Sequence, residues 1–102
     1  MALLDDTVQF TIALHAPKGQ IIQYEYPAEA MTGDGIKVFV DVKNNSASTE
    51  QYILTLVNND TNTAITHKNL SIGANASSFG NELSTTMPAK AFNLRLDLFR
   101  VI

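Results

Sequence analysis

The chain of 102 residues contains no cysteine. Disulfide frameworks, zinc–thiolate sites and thiol nucleophiles are therefore excluded, and the fold must rest on burial and backbone pairing. Charge is also scarce. Only 17% of residues are charged, the formal net charge is −3, and acids and bases are scattered. No basic stripe is present to neutralise phosphates, and no aromatic-rich basic strand to stack unpaired bases, so nucleic acid is not an expected partner. No apolar run approaches the roughly 20 residues that a membrane-spanning helix needs. Helical periodicity is missing from every span longer than about ten residues. The opening Met1-Ala2-Leu3-Leu4-Asp5-Asp6 has two acids where a secretory leader would carry basic residues. A cleavable leader is not expected, which suits a virion-borne or cytoplasmic protein.

What is present is an apolar fraction of 45%, enough for one folded domain spanning residues 1–102. Its dominant period is two. Val8, Phe10, Ile12 and Leu14 alternate with Thr7, Gln9, Thr11 and Ala13, the pattern of a half-buried strand. Pro17-Lys18-Gly19 then supplies a turn. Extended structure is expected again over residues 21–26, up to Pro27, which disfavours helix at Tyr26. Residues 1–23 thus form an extra edge strand or an arm.

Thr32-Gly33-Asp34-Gly35 reads as a turn. Ile36, Val38, Val40 and Val42 make the clearest strand, with Phe39 interrupting its charged face. Residues 51–57 are apolar on both faces, which places them centrally in a sheet. Asn58-Asn59-Asp60-Thr61-Asn62 forms a tight polar turn. Residues 63–67 and 69–72 follow as one strand or two. Residues 78–87 form a weaker strand anchored by Phe79 and Leu83, and Phe92, Leu94, Leu96 and Leu98 mark the last. About seven short strands separated by turns predict an all-β antiparallel sandwich.

From Tyr24 onward the layout resembles immunoglobulin-like sandwiches related to CARDB adhesion modules. The matching residues are the Thr32-Gly33-Asp34-Gly35 turn and the strand Val38-Phe39-Val40-Asp41-Val42-Lys43-Asn44, in which the asparagine opens a turn. Leu70-Ser71-Ile72-Gly73-Ala74-Asn75 and Met87-Pro88 before Leu94 and Leu96 continue the likeness. The resemblance implies an immunoglobulin-like fold, and an adhesion role only through analogy. In class, a small cysteine-free sandwich beginning at Met is also similar to viral decoration proteins.

Catalytic chemistry finds little footing. The serines lie in Asn- and Ala-rich turns without a Gly-x-Ser-x-Gly elbow, and the carboxylates are dispersed. His15 and His67 lack local metal-ligand spacing, and Asp60 alone is thin support for calcium in the 58–62 turn. No enzyme activity, metal or cofactor is expected. The sequons at Asn44, Asn59, Asn69 and Asn75 read as turn chemistry. Candidate binding residues are Tyr24 and Tyr26, on one face of an extended segment, with Asn59 and Asp60. Candidate interface residues are Phe39, Phe99 and Val101, surplus apolar positions of the kind a subunit contact uses. The expected function is therefore a structural, self-associating subunit, with a carbohydrate- or protein-binding module as the alternative.

Overall fold

The computed structural model describes residues 1–14 and 16–102. Among these residues there are six strands and no helix: β1 (Gly19–Glu25), β2 (Gly35–Asn44), β3 (Glu50–Asn58), β4 (Thr63–Ile72), β5 (Ser77–Thr86) and β6 (Leu94–Val101). They form two antiparallel sheets, ordered β1-β2-β5 and β4-β3-β6. Strands β2, β3 and β5 fall where alternation places them, and β3 is central to its sheet as its two apolar faces predict. Residues 63–72 are one strand.

The six strands fall short of the seven expected because residues 8–14 pair with no strand. Val8, Phe10, Ile12 and Leu14 are 79–95% exposed. Nor does Pro17-Lys18-Gly19 turn back into a hairpin. Gly19 already belongs to β1, and the Lys18 carbonyl accepts from Asn45 N at 2.7 Å. The N-terminal segment runs on as an arm, and the molecule measures 76 Å along its longest axis. A ten-residue strand spans only about 33 Å.

Both sheets turn apolar residues onto one core. Ile36, Val38, Val40 and Val42 of β2 and Leu83 of β5 face Tyr52, Leu54 and Leu56 of β3 and Leu70 and Ile72 of β4. Three register shifts adjust which residues face inward. At Ile22, β1 gains one residue against β2, so Ile21 opposes Val42 while Tyr24 opposes Val40. Directly opposed residues share a sheet face, so the bulge puts both Ile21 and Tyr24 on the core side although they are three apart. At the second shift, Asn81 and Ser78 of β5 oppose Val40 and Val42. Gly80, at φ 64°, donates its N–H to Asp41 Oδ1 at 2.8 Å. This bulge carries Phe79 outward to 72% exposure, so Leu83 alone is the core anchor there. In the third shift, Ile65 is the extra residue of β4.

One end of the sandwich is closed by Asn44, whose side chain is fully buried. Its Nδ2 donates to the carbonyls of Ser48, Ile72 and Gly73 at 2.8, 3.0 and 3.1 Å. Its Oδ1 accepts from Ser46 N at 2.8 Å and the Tyr52 hydroxyl at 3.0 Å. One amide thus ties the ends of β2 and β4 to both neighbouring loops and to the core of β3. A glycan on Asn44 is incompatible with this burial. Burial also pushes the Tyr52 phenol above its ordinary value, reinforced by the Glu50 carboxylate and opposed by the Arg100 guanidinium.

Asn44→Ala should strand buried carbonyls and a hydroxyl, lowering stability by about 3 kcal/mol, roughly the penalty for several unmet hydrogen bonds. Urea unfolding measures it, and a loss within experimental error would refute the central role of this amide. The raised Tyr52 pKa gives a second expectation. The folded state holds the phenolic proton more tightly than the unfolded chain. Its stabilising effect is therefore complete below the unfolded value, about 10, and is lost as pH rises through the folded value. Urea midpoints measured from neutral pH to above pH 10 should fall on the alkaline side, and Tyr52→Phe should flatten that fall.

Candidate functional site

The opposite end of the sandwich is not closed. Strands β1 and β6 are edges of different sheets, and between them lies a cleft of about 1090 Å³. Its floor is the core itself: Ile36, Val38 and Leu56. Its walls are Ile21, Tyr24 and Tyr26 on the β1 side and Phe92, Leu94 and Leu96 on the β6 side. The apolar residues of β6 that face the core are only half-buried, because beyond them there is no further strand among the described residues.

Tyr24 and Tyr26 come together as their spacing predicts. Their rings stack with centroids 6.0 Å apart and planes within 10°. Both remain more than half exposed, which reflects the open cleft on the core side of the sheet. The bulge at Ile22 is what aims Tyr24 there.

Asn59 and Asp60 lie at the same end, in the turn joining β3 to β4, and Asn59 also lines the cleft. Their oxygens are engaged. Arg95 grips Asp97 with Nε and Nη2 at 3.0 Å each, and extends Nη1 to Asn59 Oδ1 at 2.9 Å and Nη2 to Asn62 Oδ1 at 2.8 Å. Asn93 Nδ2 donates to both Asp60 carboxylate oxygens, at 3.1 and 3.3 Å. Within the turn, Asn58 Oδ1 accepts from the N–H groups of Asp60 and Thr61, while Asn62 takes φ 54°. A guanidinium therefore occupies the place that a cation would take. No group of three or more metal-ligating side chains converges among the described residues.

The interface candidates do not form one surface. Phe39 opposes Glu25 and Glu82 on the outer face of the β1-β2-β5 sheet. Phe99 and Val101 project from the outer face of the other sheet, where Phe99 opposes Ile53. All three are exposed, Phe39 at 40%, Phe99 at 54% and Val101 at 50%. His67 is exposed on that second outer face, opposite Thr55, and His15 lies outside the described residues. Met87 and Ala30 also border the cleft. Sequence reasoning passed over them because a cleft between two sheet edges depends on topology, which alternation does not report.

No protein-family profile, curated protein sequence or solved structure matches the chain. No helix among the described residues is long and apolar enough to cross a membrane.

The closed end explains why the cleft stops. A Cβ on Gly19 would overlap the Tyr52 ring and come within 2.9 Å of Leu98 Cδ2, so only glycine lets β1 approach β6 there. Gly19→Ala should wedge this end apart and destabilise the domain by about 1–3 kcal/mol, as overpacking usually does. A thermal melt unchanged from that of the parent would disprove the contact.

Proposed function

We propose that the chain is a non-catalytic structural subunit that assembles with copies of itself, in the manner of a protein decorating the surface of a larger particle. The supporting observation is the arm. Four large apolar side chains, Val8, Phe10, Ile12 and Leu14, alternate along it and are exposed to solvent. Burying each fully would contribute about 1.5–3 kcal/mol, stabilisation that the isolated subunit leaves unrealised. Contiguous apolar surface of this kind marks contact sites on soluble proteins. Phe99 with Val101 on one outer face, and Phe39 on the other, offer smaller secondary contacts.

The same proposal includes an immunoglobulin-like assignment of the sandwich. Pairing of β2 with β5 across one sheet and of β3 with β6 across the other follows the connection pattern of that fold, with β1 as an edge beside β2. In such an assignment the free edge of β6 is where a further strand belongs.

A second reading, a module that binds carbohydrate or a protein ligand, draws on the stacked Tyr24–Tyr26 pair. Sugar recognition needs polar partners beside the aromatic face. Here the rim groups Asn59, Asn93 and Arg95 are engaged with one another and with Asp60 and Asp97. The cleft therefore suits an apolar occupant better than a sugar.

Light scattering after size exclusion, over a concentration series, tests the subunit reading directly. Discrete oligomers, or a mass that grows with concentration, are expected. A monomer at every concentration would refute self-association and turn attention to ligands of the tyrosine pair.

A further inference from the structure

We propose that residues 7–14 of a second copy insert as a strand along the free edge of β6 and fill the cleft between β6 and β1. This rests on the self-association reading and specifies its contact. Donor and acceptor have matching deficits. The arm segment has the alternation of a strand, carries no charge from Thr7 to Leu14, and pairs with no strand of its own chain. The acceptor has an edge strand whose outer edge pairs with no strand among the described residues, and a cleft whose floor is the hydrophobic core. The cleft follows β6 over Leu94, Arg95 and Leu96 and ends where Gly19 closes onto Leu98, so this is the part of β6 that the inserted segment would pair with. One inserted strand would satisfy both needs at once. Its backbone would extend the β4-β3-β6 sheet, and Val8, Phe10, Ile12 and Leu14 would cover the half-buried Leu94 and Leu96 above the cleft floor. Thr7, Gln9, Thr11 and Ala13 would continue the outer face. Strand addition of this kind takes its affinity from main-chain pairing and its specificity from alternate side chains in pockets.

The route of the chain favours a second copy over the same one. The arm leaves from the closed end, where the Lys18 carbonyl is held by Asn45 N and Gly19 is packed against Tyr52 and Leu98. Pro17 holds Ala16 in extended backbone, so the arm continues outward, consistent with the 76 Å long axis. The donor surface and the acceptor surface are different parts of the molecule. Such a contact closes by reciprocal exchange between two copies, or repeats head to tail into a ring or an open filament.

The absence of native cysteine makes the test clean. Ile12→Cys in one preparation is mixed with Tyr24→Cys in another and oxidised mildly, with Phe39→Cys on the outer face as the control acceptor. Preferential I12C–Y24C cross-linking between chains is expected. Equal yields with Y24C and F39C, or no cross-link with either, would overturn the insertion. So would a chain bearing both I12C and Y24C that cross-links only within itself, because the arm would then be serving its own cleft. Phe10→Asp supplies an independent readout. Phe10 is 82% exposed and belongs to no strand, so the variant should keep the parent's circular dichroism while association weakens by a factor of about 30 or more, as for a contact hot spot. If F10D keeps the parent's oligomeric mass, the subunit reading stands and arm insertion falls. If the unaltered chain is itself monomeric throughout, both fall.

Discussion

The architecture turns on the buried Asn44 amide. A carboxylate at this position would offer acceptors only, and a hydroxyl is too short and carries a single donor. The site needs donors toward the carbonyls of Ser48, Ile72 and Gly73, and an acceptor toward Ser46 N and the Tyr52 hydroxyl. By meeting both demands, Asn44 locks together the loop after β2 and the loop after β4. Those loops then hold each other through backbone bonds, with Asn75 N donating to the Ser46 carbonyl and Asn44 N to the Ala76 carbonyl. The consequence extends to β1, because Gly19 opposes Asn44 in register and Lys18 is held by Asn45. The departure direction of the N-terminal arm is thus set by the same closed end.

With one end locked, the bulges decide what the other end presents. A period of two is unforgiving, since a shift of one residue exchanges the two faces of a strand. The extra residue at Ile22 makes that exchange part-way along β1, keeping Ile21 on the core and bringing Tyr24 to the same side. The Gly80 bulge does the reverse for Phe79, moving it away from the core while Asn81 turns inward and donates to the Val40 carbonyl at 3.1 Å. The first sheet is in this way closed around β2 and β5 yet left open along β1, and the cleft follows.

Much of this was legible in the sequence, for reasons that can be named. Ile36, Val38, Val40 and Val42 alternate without interruption, and all are nearly inaccessible; uninterrupted alternation beside a Gly-Asp-Gly turn reads as a core strand. The apolar run of β3 reported its central place in the same way. Tyr24 and Tyr26 were correctly placed on one face because they lie beyond the bulge. Phe79 was misread as an anchor because a bulge built on Gly80 leaves no mark on periodicity. Asn44 looked like a turn former, and its burial depends on the Ile72 and Gly73 carbonyls, which lie 28 and 29 residues away. The calcium-like composition of residues 58–62 did not reveal that Arg95, 33 to 36 residues further on, takes up the oxygens of Asn59 and Asn62.

For residues 1–23, expected as an extra edge strand or an arm, the arm is what the structure shows, and its alternating pattern carries physical meaning. Alternation records the environment a segment is suited to, one face in an apolar core and one outside it. It does not say whose core. Residues 8–14 have the pattern of a half-buried strand, yet they lie exposed and pair with no strand among the described residues. An unpaired, uncharged strand of this kind pairs readily with any open sheet edge. Two features restrain it here: Asp5 and Asp6 directly precede it, charges of the sort that flank hazardous strands, and the open core lies between one particular pair of sheet edges, β1 and β6. A segment too apolar for solvent and a core left open along one edge are each unfavourable alone. On the insertion we propose, the two would be complementary between neighbouring copies, and the local inconsistency of the subunit would supply the specificity of its assembly.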